Sequence, residues 1–160
     1  MKKTILYLTL IYSFFNIDID ARVLPQDVIW NNDETGYYTI DENSIVLVST
    51  IGKKDKKILS SEDVKNKKIE SFSFSQDKKN VLIYTNSVRV WRYNTRGNYW
   101  VYNLKTKQGK RLGSTLPDRS LMFAKFSPNG KKIAYVSKEI IPNSFRNSST
   151  RANIYLETVE

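Results

Sequence analysis

The chain has 160 residues, enough for one modest domain, with 12% aromatic residues and a formal charge of +10. It holds neither His nor Cys. A Ser-His-Asp triad, a Cys-His pair, Cys/His zinc ligation and disulfides therefore cannot be assembled from these residues.

The N-terminus opens with Lys2 and Lys3, then an apolar run from Thr4 to Phe15. A short positive region before an apolar core of that length reads as a signal peptide and is too short to span a bilayer. The competing reading is a buried N-terminal strand. Cleavage after Ala21 puts Ile19 at the minus-three position, with Asp18 and Asp20 making the site imperfect. Residues 1–21 are thus expected to be a helical signal peptide and residues 22–160 the mature domain, secreted or periplasmic. No later apolar run is long enough to cross a bilayer, so stable membrane insertion is not expected. Lys2 and Lys3 offset Asp18 and Asp20, so removing the leader leaves the net charge as it was.

Ser44 to Ser49 (SIVLVS) reads as a strand. A Gly52-Lys53-Lys54 turn and Ile58-Leu59 follow, making an entering strand pair. Residues 72–84 (FSFSQDKKNVLIY) then recur as 124–136 (AKFSPNGKKIAYV) at an offset of 52, without a gap. Phe74 falls on Phe126, Ser75 on Ser127, Asp77 on Asn129, Lys79 on Lys131 and Val81 on Ile133. Each copy is an aromatic strand, a polar turn and an apolar strand, which is a β-hairpin. A further strand follows each: Tyr99 to Leu104 (YWVYNL), and Ile154 to Val159 (IYLETV) at an offset of 55. Lys105 to Leu112 reads as a polar turn entering another strand. Ile140 to Arg151 reads as an unusually long polar turn.

A recurrence near 50 residues with about four strands per unit is the pattern of a propeller blade. The expectation is an all-β chain: a partial β-propeller of about two antiparallel blades plus the entering strand pair, preceded by the signal-peptide helix. A closed propeller needs at least four blades, so this chain is not expected to close one alone.

The cationic residues fall mostly in short polar segments: Lys53, Lys54, Lys56 and Lys57; Lys65, Lys67 and Lys68; Lys78 and Lys79; Lys105, Lys107, Lys110 and Arg111; Lys131 and Lys132. Such placement reads as solvated turns, and no nucleic-acid partner is expected.

The segment Val90-Trp91-Arg92-Tyr93-Asn94-Thr95-Arg96-Gly97-Asn98-Tyr99-Trp100-Val101-Tyr102 is not generic propeller sequence. It resembles the first-blade signature of dipeptidyl peptidase IV, where a Trp-Arg pair precedes a short polar turn and the next strand. The hairpin LMFAKFSPNGKKIAYVS and the closing NIYLE resemble that family's second blade. The resemblance, to the N-terminal propeller part of a bacterial dipeptidyl peptidase IV of the prolyl oligopeptidase family, covers residues 36–160. It implies a parent that joins an eight-bladed propeller to an α/β-hydrolase domain. Such a parent removes N-terminal dipeptides with Pro or Ala second, is a secreted serine peptidase, takes a peptide substrate and admits a homodimer.

The resemblance places Arg92 at the active-site cavity, holding the substrate backbone. Read by its neighbours alone, Arg92 is a strand-end Arg beside Trp91. The family's paired Glu, its Gly-x-Ser-x-Gly elbow and its catalytic Asp and His are absent here. Glu157 and Glu160 do not stand in for the pair. The chain is therefore expected to be a truncated, inactive propeller fragment with no catalytic residue, no metal and no cofactor of its own. The alternative is a stand-alone secreted binding module.

Overall fold

The computed structural model describes residues 28–65, 67–90, 92–140 and 150–159. The expected leader, residues 1–21, and most of the expected long turn, residues 141–149, lie outside the described residues. All regular structure within them is β, apart from a single 3-10 turn at Glu62–Val64. The eleven strands are β1 (Ile29–Trp30), β2 (Gly36–Asp41), β3 (Ser44–Ser49), β4 (Lys56–Leu59), β5 (Ile69–Phe74), β6 (Asn80–Val90), β7 (Tyr93–Asn103), β8 (Gln108–Arg111), β9 (Leu121–Phe126), β10 (Lys132–Ile140) and β11 (Thr150–Thr158).

The strands form three successive antiparallel meanders: β1 to β4, β5 to β8 and β9 to β11. A single bridge, Gly97 on β7 to Leu121 on β9, joins the second meander to the third at one edge. This is the all-β, partial-propeller architecture expected. The entering strand pair needs correction, because Ile29 to Leu59 is a complete four-stranded sheet. Two strands are added to the expected pair: β1, which pairs with β2, and β2 (GYYTID), which pairs with β3 over its whole length, from Gly36↔Ser49 to Asp41↔Ser44.

The second meander is buried on both faces. Val81, Ile83, Trp100 and Tyr102 pack with Ile45 and Leu59 of the first sheet, across Val64, Ile69 and Phe72. Leu82 and Val101 point the other way, onto Leu121, Ile133 and Tyr135 of the third. Side chains alternate across a strand, so a sheet with two apolar neighbours must be apolar at consecutive positions. The runs VLI and YWVY satisfy that condition. Each large apolar side chain so buried contributes roughly 1.5–3 kcal/mol.

The repeat is reproduced in its main turn bonds. Ser75 N–H donates to the Asn80 carbonyl at 2.9 Å, and Ser127 N–H to the Lys132 carbonyl at 2.8 Å. Ser75 Oγ donates to Asp77 at 2.7 Å, and Ser127 Oγ to Asn129 at 2.8 Å. Lys78 and Gly130 occupy the same turn position with φ of 52° and 69°. Leu104 N–H closes on the Lys79 carbonyl as Val159 N–H closes on that of Lys131. The two turns also touch: a Cβ at Gly130 would lie 3.2 Å from Ser75 Cβ. Successive units thus stack turn against turn, as blades around a common axis do.

Several cations expected in turns lie on strands. Lys56 and Lys57 are on β4, Lys110 and Arg111 on β8, and Lys132 on β10. β4 and β8 are the outermost strands of their meanders, and charged side chains there discourage pairing with another chain.

Candidate functional site

The segment VWRYNTRGNYWVY, expected to hold a connection between strands, is itself mostly strand. β6 and β7 are eleven residues each and pair from Asn80↔Asn103 out to Val90↔Tyr93. At roughly 3.3 Å per residue the hairpin is about 36 Å long. Arg92 lies at its tip and is exposed. Trp91 is outside the described residues. Within β6 the buried side chains end at Thr85. The outer part is therefore an arm that projects past the packed sheet and carries Arg92 at its end.

A polar cluster meets the base of this arm. Asn98 on β7 is 2% exposed. Its Nδ2 donates to Asp118 Oδ1 at 2.8 Å, and its Oδ1 accepts from Arg119 N–H at 2.8 Å and Arg111 Nη2 at 3.5 Å. Asp118 also accepts from Asn86 Nδ2 at 3.3 Å and lies 3.4 Å from Arg111 Nη2. Arg119 Nε and Nη2 donate to the carbonyls of Asn86 and Ser87 at 3.2 and 2.9 Å. From the other side, Ser87 N–H donates to Glu70 Oε1 on β5 at 2.7 Å.

Below the arm lies a cleft of about 460 Å³, lined by Phe72, Phe74, Tyr84, Tyr99, Phe123 and Phe126 among others. The Tyr84 and Tyr99 rings are 4.7 Å apart. Burial, with the neighbouring Tyr99 and Glu70 adding to it, pushes the Tyr84 hydroxyl up to about 12. Burial also pushes Tyr99 up, against hydrogen bonds from the backbone at Ala124 and Phe123. Both phenols stay protonated at neutral pH and serve as neutral hydrogen-bonding groups. Phe123 is 61% exposed at a φ of 56°, where β9 bulges against β10.

A second polar joint ties the β8–β9 connection to the third meander. Glu157 Oε1 accepts from Tyr135 Oη at 2.6 Å and from Gly113 N–H at 2.7 Å. Glu157 thus links the β8–β9 connection to β10.

Arg92 is the one site residue nominated by sequence, and it stands apart from the polar cluster. Asn98, Asp118, Arg119 and Glu70 escaped that reading. The signal available for Asn98 was a polar residue standing between Gly97 and the aromatic pair Tyr99-Trp100.

Residues 75–141 match the family described as the dipeptidyl peptidase IV (DPP IV) N-terminal region. Dipeptidyl aminopeptidase B of Saccharomyces cerevisiae is 39% identical over 71 residues, 44% of this chain and 8% of that protein. Prolyl endopeptidase FAP of Homo sapiens is 28% identical over 107 residues, 67% of this chain and 14% of that protein. The chain thus spans a small part of these relatives' length. These relatives are fungal and human, and a bacterial origin is not shown. Among solved structures, an acylaminoacyl peptidase of Pyrococcus horikoshii superposes with a TM-score of 0.43 at 16% identity, covering 83% of this chain and 22% of that one.

Proposed function

We propose that this chain supplies blades of the substrate-facing propeller of a secreted dipeptidyl aminopeptidase, with Arg92 engaging the peptide near its N-terminal end. The observation that carries the reading is the coincidence of three features on one residue. Arg92 lies inside the matched stretch 75–141, belongs to the family-specific Trp-Arg segment, and stands exposed at the tip of an arm. A guanidinium in that position presents a planar fork of donors to a peptide carbonyl or carboxylate. A Ser-His-Asp triad needs an imidazole, and these 160 residues contain none, so a hydrolytic step of that kind would draw its His from outside this sequence. Export rests on Lys2, Lys3 and the apolar run to Phe15.

The test is a chimera in which residues 28–160 replace the corresponding blades of a complete dipeptidyl aminopeptidase. The expected result is retained hydrolysis of a Gly-Pro chromogenic substrate. Arg92→Ala in that chimera should raise KM by roughly tenfold, the weight of one charge-assisted hydrogen bond. An active chimera indifferent to Arg92→Ala refutes the assignment. The purified chain alone should show no turnover.

A further inference from the structure

The arm that carries Arg92 is poorly supported by its own strands. A two-stranded ribbon is marginally stable in water by itself. Here the ladder is also broken at the ribbon's root: the β6–β7 register shifts between Thr85 and Val88 and again between Val88 and Arg89. Asn86, at the break, has a φ of 56°. A bulge of this kind frees backbone groups from the ladder, and those groups need partners elsewhere.

Side chains from distant segments supply them. The Arg119 fork takes the carbonyls of Asn86 and Ser87, and Glu70 takes the Ser87 N–H. Asp118 takes the Asn86 side chain and, through buried Asn98, the opposite strand. Arg119 itself sits at a φ of 58°, a conformation that glycine adopts freely and arginine does not. An arginine held in a glycine conformation, with its guanidinium spread across two freed carbonyls, indicates that the side chain is what the position requires.

We infer that Arg119, with Asp118 and Asn98, is a positioning residue that clamps the bulged root of the β6–β7 arm and so sets where Arg92 is presented. The clamp is assembled from the β8–β9 connection, so the aim of the arm is set by the junction between two blades. The value of this aim for peptide capture rests on the reading of Arg92 given above. The clamp itself does not.

Arg119→Gly is the decisive substitution, because it deletes the fork while relieving the backbone strain. Hydrogen–deuterium exchange on the full chain then reads the two effects separately. Amides in residues 86–96 should exchange roughly tenfold faster or more, as expected when two charge-assisted bonds are lost. Amides at Val81 to Ile83 should keep their protection. Arg119→Lys should restore part of it, since an ammonium meets one carbonyl but cannot bridge two. Unchanged exchange in the arm, or faster exchange spread through Val81 to Ile83, overturns the clamp.

In the chimera, Arg119→Gly should raise KM with kcat held, and adding Arg92→Ala should raise it little further. A full additional rise would show that the clamp does not act through Arg92. If Arg92→Ala alone is silent, the peptide-capture reading falls, and the exchange result still decides the clamp.

Discussion

Gly97 lies where the arm leaves the sheet, between clamped Asn98 and the outer ribbon, and its replacement by Ala weighs two opposing effects. Ala is preferred over Gly within a strand by roughly 0.5–1 kcal/mol, because it loses less conformational freedom on folding. Against this, a Cβ at position 97 would lie 2.5 Å from Tyr84 Cε2, and 2.9 Å from both Tyr84 Cζ and the Thr85 carbonyl oxygen. The ring can swing; the carbonyl belongs to the rung that pairs Thr85 with Asn98 and cannot. Overpacking of this kind costs roughly 1–3 kcal/mol. Moving Tyr84 off Tyr99 forfeits about 0.5–1.5 kcal/mol more. Steric conflict wins, and Gly97→Ala should destabilise the chain by about 1–3 kcal/mol. Urea unfolding followed by tryptophan fluorescence would read this as a lower midpoint at unchanged slope. The same substitution in a Tyr84→Ala background should cost clearly less, since only the carbonyl clash remains. A midpoint equal to or above that of the parent chain, or an identical loss in both backgrounds, would refute the reasoning.

Three other outcomes are expected. Tyr135→Phe and Glu157→Gln should each cost about 1–3 kcal/mol in urea melts, as the 2.6 and 2.7 Å bonds at Glu157 join two blades through a carboxylate. The double variant should cost less than their sum, and strict additivity would rule out a shared joint. Tyr84 titrates higher in the folded chain than the ~10 of a free phenol, at about 12, so it contributes stability that is complete below pH ~10 and lost as pH rises toward 12. Thermal midpoints should fall over that window, and Tyr84→Phe should flatten the fall; a parallel decline would contradict the assignment. Ser75→Ala should destabilise more than Ser127→Ala, because Ser75 is 1% exposed while its counterpart is only half-buried. Equal losses in differential scanning calorimetry would count against burial as the cause.

The parts of the fold that were legible in the sequence are those written in local pattern. The 52-residue echo from Phe74-Ser75 to Phe126-Ser127 specifies two equivalent turns, and the structure returns the same bonds in both. Consecutive apolar residues at Val81-Leu82-Ile83 signal a sheet covered on both sides, and both sides are covered. β2 escaped because Tyr37, Tyr38 and Ile40 are flanked by polar residues and have no counterpart at the repeat offset. Their strand character comes from pairing with β3 and from Tyr38 packing on Phe74, 4.6 Å between ring centres.

The arm was opaque for a different reason. Asn86, Ser87, Asn94, Thr95 and Arg96 look like a connection, because runs of polar residues lack the alternation of a half-buried strand, and the alternation Ser87-Val88-Arg89-Val90 is too short to outweigh them. They extend β6 and β7 since the freed backbone groups of the bulged root are met by Glu70 on one side and Arg119 on the other, while Asp118 holds the Asn86 side chain. Contacts that span 17 to 33 residues leave no periodic trace in any short window. Resemblance could single out Arg92 because it is a fixed word in a familiar segment; it could not single out the residues that aim it, which have no motif and act only through folded geometry. Such positioning residues are more profitably sought in the connection to the following blade, at backbone bulges whose freed carbonyls have found a side-chain partner.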